Sequence, residues 1–272
     1  MKARQTTAAL FVAVALTVSG CGGTEEAVEK AVTATDFVAL GDSYSAGLGA
    51  GNYNTDPDCK QSKDGGFPQL FAKAQTAPFG TVTDASCSGA VINDVRFEQV
   101  NALSESTGTV TLTVGGNDAG WTNSLRGCLL GDEAGCATGV EQGIAGAKSK
   151  LPAALDDLYT SIRSKAPNAK VYVLGYPHLV AAPGKDGVSC EQLTDAKRKA
   201  LNEGADSLVE LIKGRAETAG FTFVDVREAF RGHEACTKEP WIHAADGDLS
   251  EAFHPNADGY QAYLKALQAV AG

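Results

Sequence analysis

Apolar and β-branched residues collect in short runs that recur along the chain. The first is Phe37-Val38-Ala39-Leu40, and others lie at 81–86, 109–114, 171–174 and 221–226. Each run has strand length and reads as a buried strand of a parallel sheet. Between the runs, apolar positions switch to helical spacing at 67–75, 91–103, 141–165 and 190–219, with a last such segment at 256–269. Strand and helix alternating in this way predict one α/β domain over 36–272, a three-layer α/β/α arrangement around a central parallel sheet of about five strands. Two Gly- and Cys-bearing stretches, 115–139 and 232–250, are expected to be irregular, and loops of that length are usually functional or stapled.

The N-terminus follows a different pattern. Lys2 and Arg4 precede an apolar run from Ala8 to Val18. That run is too short to cross a bilayer, which takes about 20 apolar residues, and matches the basic and apolar regions of a secretory signal. Val18-Ser19-Gly20-Cys21 then resembles the bacterial lipobox, in which the cysteine is lipidated and begins the mature chain. The expectation is a signal peptide over 1–20, a small, polar tether over 21–35 carrying Glu25, Glu26 and Glu29, and an exported protein held at the outer face of the cell membrane through Cys21 or released from it.

The chain has 23 Lys plus Arg against 33 Asp plus Glu, a formal charge of -10, so no basic footprint for nucleic acid is present. Setting Cys21 aside leaves Cys59, Cys87, Cys128, Cys136, Cys190 and Cys236, an even six, which in an exported chain reads as three disulfides. No C-x-x-C spacing supports a structural zinc site. Cysteines near neighbouring strand ends are the easiest to join, which favours Cys59 with Cys87, Cys128 with Cys136 and Cys190 with Cys236.

Chemistry is expected at the carboxyl edge of the sheet, where open α/β sheets bind their ligands. Three turns fall there: Gly41-Asp42-Ser43-Tyr44-Ser45, Cys87-Ser88-Gly89-Ala90 and Gly115-Gly116-Asn117-Asp118. Ser43 in a tight turn is a candidate nucleophile, but a hydroxyl attacks only with a base in reach. Of the four histidines, His254 is best placed, since Pro255 and Asn256 follow it at the head of the last helix. His178 is a candidate for the substrate pocket, and His233 and His243 read as solvated loop residues. Asp42 and Asp118 read as braces for their turns.

These blocks, Gly41-Asp42-Ser43-Tyr44, Gly89, Gly115-Gly116-Asn117-Asp118 and Phe253-His254-Pro255-Asn256, resemble in kind and order the SGNH/GDSL hydrolases, most closely their secreted actinomycete lipases and esterases. The resemblance implies a flavodoxin-like sheet and a serine carboxylic-ester hydrolase. Ser43 is then the nucleophile and His254 the base, with an oxyanion hole made by the backbone N–H of Ser43, the backbone N–H of Gly89 and the Asn117 amide. Where the family usually has Asp three residues before the histidine, this chain has Glu251, so the expected third member is Glu251, with Asp248 as a further candidate. A main-chain carbonyl does that work in some members. No metal or organic cofactor is implied, and the expected protein is a monomer acting on small-molecule or lipid esters through an acyl pocket lined by the long loops and Gly175-Tyr176-Pro177-His178. Phospholipase, polysaccharide O-deacetylase and acyltransferase activities fit the same dyad, and a lipid-anchored binding protein without turnover is the reading from another class. The chain lacks the Gly-x-Ser-x-Gly elbow of α/β-hydrolases and a dinucleotide fingerprint.

Overall fold

The computed structural model describes residues 34–184 and 190–271. The expected signal over 1–20, Cys21 and the expected tether as far as residue 33 lie outside the described residues. Five strands, β1 (Asp36–Gly41), β2 (Val82–Asp84), β3 (Thr107–Thr113), β4 (Lys170–Leu174) and β5 (Thr222–Val224), form one parallel sheet in the order β2-β1-β3-β4-β5. The central strands are the apolar ones: Phe37, Leu40, Val110, Leu112, Val173 and Leu174 are all fully buried. The edge strands β2 and β5 are only three residues long, which limits the unpaired backbone they present.

Among the described residues seven α-helices surround the sheet: α1 (Ser43–Ala46), α2 (Phe67–Lys73), α3 (Ile92–Phe97), α4 (Trp121–Leu130), α5 (Glu133–Lys165), α6 (Asp195–Thr218) and α7 (Ala257–Ala271). The chain steps one way from β1 to β2 and the other way thereafter. Right-handed crossovers therefore put α2 on one face, where it packs against α7, and α3, α5 and α6 on the other, with α5 against α3, α4 and α6. The reversal leaves a crevice between the carboxyl ends of β1 and β3, joined in register at Gly41 and Thr113.

One expectation is corrected here. The stretch 115–139 is mostly helical, because α4 occupies Trp121–Leu130 and α5 begins at Glu133 rather than near 141. Asp132 caps α5 by accepting a 2.7 Å hydrogen bond from the Gly135 N–H. Disulfides join Cys59 to Cys87, Cys128 to Cys136 and Cys190 to Cys236. The second of these ties α4 to the first turn of α5, and the first holds the turn that carries Gly89.

Candidate active site

The Ser43 turn is built where β1 ends. Gly41 has φ +127°, and a Cβ there would meet the Thr113 carbonyl oxygen at 2.2 Å, so only glycine lets β1 leave the sheet this close to β3. Asp42 caps the short helix α1 by accepting from the Tyr44 N–H at 3.0 Å, and it also accepts from the Thr113 hydroxyl at 2.7 Å and the Tyr176 hydroxyl at 2.5 Å. Its carboxylate thus pins the turn to β3 and to the segment after β4. Burial pushes the Asp42 carboxyl up to about 6, against the opposing effect of these donors.

His254 reaches Ser43 from the other end of the chain. An isolated antiparallel bridge between Ile242 and Pro255 and hydrogen bonds exchanged between His243 and the 253–254 backbone hold its loop. Phe253, at φ +62°, turns its carbonyl to the Tyr44 hydroxyl, which donates at 2.7 Å. In this loop the His254 Nε2 lies 2.8 Å from Ser43 Oγ and its Nδ1 lies 3.0 Å from the Ala252 carbonyl oxygen. A carbonyl only accepts, so Nδ1 carries the proton and Nε2 offers its lone pair to the serine hydroxyl. Burial lowers the imidazole to about 4, only partly offset by the carbonyls of Ala252 and Glu251, so the ring is neutral and basic at neutral pH.

The expectation for Glu251 is corrected by this geometry. Its carboxylate does not contact His254; it accepts from the Tyr53 hydroxyl at 2.5 Å and lies 3.9 Å from His243 Nε2. The imidazole is oriented by the Ala252 main chain, because a tight backbone turn, in which the His254 N–H donates to the Glu251 carbonyl, directs the Glu251 side chain away from the ring. Asp248 is likewise remote from the imidazole: its carboxylate accepts from the Ser250 N–H.

Gly89, at φ +83°, has open space where a Cβ would stand and faces the same cavity as Ser43 and Asn117. The Asn117 side chain donates to the Ala90 carbonyl at 3.0 Å, and Asp118 accepts from the Ile92 N–H at 3.1 Å. These two contacts lock the turns after β2 and β3 together, and Gly89 and Asn117 from these turns both line the cavity. Asp42 and Asp118 act as braces. His178 pairs with Asp206 at 2.9 Å and is not among the residues lining the cavity, although its neighbours Tyr176 and Pro177 are. His233 stacks on Trp241 with ring centroids 3.6 Å apart, and His243 donates to the Gly49 carbonyl at 3.0 Å.

The cavity has a volume of about 820 Å³. One wall is α4, from which Trp121, Leu125 and Leu129 face inward at successive turns; other apolar surface comes from Leu179, Leu208 and Phe253. Sequence reading assigned α4 to a loop and so missed this wall, although the spacing 121, 125, 129 is itself a helical signal. It left a main-chain carbonyl open as the orienting group without singling out Ala252, for which no side-chain signal exists, and it missed the bracing hydroxyls of Tyr44, Tyr53 and Tyr176.

Residues 39–262 match the model of the GDSL-like lipase/acylhydrolase family. The chain is 41% identical over 251 residues to lipase 1 of Streptomyces coelicolor, covering 91% of each. Among solved structures it is similar to an extracellular lipase of Streptomyces rimosus, with a TM-score of 0.80 and 39% identity over 87% of this chain and 99% of that one. Phospholipase A1 of Streptomyces albidoflavus NA297 is similar to the same degree, with a TM-score of 0.80, 39% identity and the same 87% and 99% coverage.

Proposed function

The chain belongs to the GDSL-like lipase/acylhydrolase family, and on that premise we propose that it hydrolyses carboxylic esters of fatty acids through an acyl-enzyme on Ser43. The observation that carries this reading is the 2.8 Å contact between Ser43 Oγ and a neutral His254 Nε2 at the head of an apolar cavity. His254 takes the Ser43 proton as Oγ attacks the ester carbonyl, and the carbonyl electron pair moves to the oxygen. The N–H groups of Ser43 and Gly89 and the Asn117 amide receive that oxyanion. When the intermediate collapses, the acyl carbon–oxygen bond breaks and the imidazolium protonates the departing alkoxide. Water, deprotonated by His254, then attacks the acyl-enzyme, and the fatty acid leaves as the proton returns to Ser43. The Ala252 carbonyl holds the ring in the productive tautomer and stabilises the imidazolium as a dipole.

A cavity of about 820 Å³ is larger than an acetyl group needs, so medium and long acyl chains are the preferred substrates. Hydrolysis of p-nitrophenyl esters from acetyl to palmitoyl, with Ser43→Ala alongside, tests the reading. Activity that rises with chain length and disappears in the variant supports it; a folded protein that cleaves none of these esters, or a variant as active as the parent, refutes it. Export, with a signal over 1–20, belongs to the same proposal, as does a tether over 21–35 that joins a lipidated Cys21 to a monomeric hydrolase domain over 36–272. The basic and apolar segments before Cys21 support it, as does the likeness to an extracellular lipase. A Cys21→Ala protein that partitions with membranes as fully as the parent would remove the anchor from the proposal.

A further inference from the structure

The inner stripe of α4, Trp121-Leu125-Leu129, has a companion one residue further on: Thr122, Arg126 and Leu130 also line the cavity, but are exposed and form its rim. Leu130, at 77% exposure, and Leu249, at 72%, are the two most exposed of the large apolar side chains described, and both belong to this rim. Between Thr122 and Leu130 on the outer stripe stands Arg126. Besides His254 and the phenols of Tyr44 and Tyr176, the titratable group that shares the cavity is the Asp42 carboxyl, which is buried and already accepts from three donors. Among the described residues no carboxylate lies within ion-pair distance of Arg126, in a chain with ten more acids than bases.

The position of this guanidinium is built rather than incidental. The buried Lys197 donates to the Gly131 carbonyl at 2.7 Å and to the Gln192 carbonyl at 2.9 Å, joining the end of α4 to the turn that carries Gln192, a second polar rim residue. The Cys128–Cys136 disulfide fixes the same helix from below. The carboxylates at the heads of the two following helices have partners of their own: Glu133 accepts from Thr194, and Asp195 from the Gly184 N–H. Arg126 lies five residues beyond Trp121, about 7.5 Å along the helix axis, while the apolar wall runs about 12 Å to Leu129. The rim therefore presents one unpaired cation beside an apolar wall, the complement of a molecule that carries both a long acyl chain and an anion.

We propose that Arg126, on a rim shared with Gln192, is the subsite for the phosphodiester of a glycerophospholipid whose scissile acyl chain lies along Trp121, Leu125 and Leu129. The inference rests on the ester-hydrolase reading and adds to it the residue that would select a phospholipid over an uncharged ester. A guanidinium binds a phosphate oxygen pair through two parallel N–H donors, which glutamine cannot reproduce and lysine reproduces only as a point charge.

The test compares phosphatidylglycerol with diacylglycerol of the same acyl chains, both dispersed in neutral-detergent micelles, for the parent protein, Arg126→Gln and Arg126→Lys, with folding checked by thermal melting. The ratio of kcat/KM for phospholipid over diacylglycerol is expected to fall at least tenfold in Arg126→Gln, through KM, and to recover in part in Arg126→Lys. An unchanged ratio, or equal losses on both lipids, overturns the inference while leaving the esterase intact. A second arm uses Ser43→Ala and a non-hydrolysable diether phosphatidylglycerol in the same micelles. Binding that weakens on adding Arg126→Gln supports the subsite even if no ester is turned over, and binding indifferent to residue 126 contradicts it. Loss of turnover on every ester with this binding preserved points to failure of the hydrolase reading alone.

Discussion

The turn that presents Ser43 and the loop that presents His254 meet at one hydrogen bond, yet they are held by different means. Around Ser43 the fixing groups are side chains: the Asp42 carboxylate, 2% exposed, gathers donors from α1, β3 and the segment after β4. Around His254 the groups that set the ring are main-chain ones, the Ala252 carbonyl on Nδ1 and the bridge between Ile242 and Pro255. The side chains that brace this loop from outside, Glu251 at 22% and His243 at 35% exposure, are reached by water. Ser43 thus sits on a buried polar network and His254 on a stapled backbone turn. Errors in the two regions should therefore have unequal consequences.

The largest effect tests whether the two regions form one unit. Ser43→Ala and His254→Ala are each expected to lower kcat by about 10⁴-fold or more, with the double variant little worse than either, as for residues that act together. Steady-state kinetics on a p-nitrophenyl ester reads this, and additive losses would separate the pair. Next, Asn117→Ala removes a donor from the wall that joins the turns after β2 and β3. A loss of about 10²- to 10³-fold in kcat is expected, equivalent to about 2.7–4 kcal/mol. A change confined to KM would remove Asn117 from the oxyanion hole.

Asp42→Ala probes the buried network itself, leaving the Thr113 and Tyr176 hydroxyls without their acceptor and α1 without its cap. Thermal or urea unfolding should show a loss of about 2–3 kcal/mol. In the other region Glu251→Gln keeps the shape and an acceptor for Tyr53 and never touched the ring. A fall in kcat of less than about tenfold is expected, against the roughly 10⁴-fold loss known for neutralising the acid of a true triad. A triad-sized loss would reinstate Glu251 as the orienting acid.

The smallest effect concerns pH. The fold lowers His254 from its ordinary 6.5 to about 4, and the base must be neutral to work. The acid limb of kcat/KM is then expected near pH 4, with a plateau already reached at pH 6. Because the buried ring resists protonation while the unfolded chain takes it up, this group also withdraws stability as pH falls from about 6.5 toward 4. Asp42, raised to about 6, has the opposite sign: its neutral form suits burial, and the stability it contributes at low pH is lost as pH rises from 3.8 through 6. A pH–activity profile with an acid midpoint near 6.5 would show that His254 is wetter than its burial implies.

The contrast between the regions also explains what the sequence could reveal. Ser43, Gly89 and Asn117, which the proposed mechanism uses, follow strand ends that apolar runs mark clearly, and His254 stands just before the last helix. The sheet was legible for the same reason, since Phe37 to Leu40 and Val171 to Leu174 leave no polar face. The Ala252 carbonyl was not legible, because every residue has one and only the φ of Phe253 and the bridge to Ile242 aim it. Glu251 looked right by position and was misplaced by the turn. The helices α4 and the start of α5 were hidden by glycines. Further along α5, in the part read as helix, Gly143 has a packing cause: a Cβ would stand 3.0 Å from the Ala119 carbonyl, where α5 passes the turn after β3.

The proposed mechanism requires that one hydroxyl, Ser43, is activated by His254 and carries the acyl group. It is tested most directly by treating the protein with an alkyl fluorophosphonate and locating the adduct by peptide mass spectrometry. One adduct per chain on Ser43, formed in step with loss of esterase activity and slowed by orders of magnitude in His254→Ala, is the predicted result. Inactivation with the adduct on another residue, or labelling of Ser43 that ignores the loss of His254, would contradict the account.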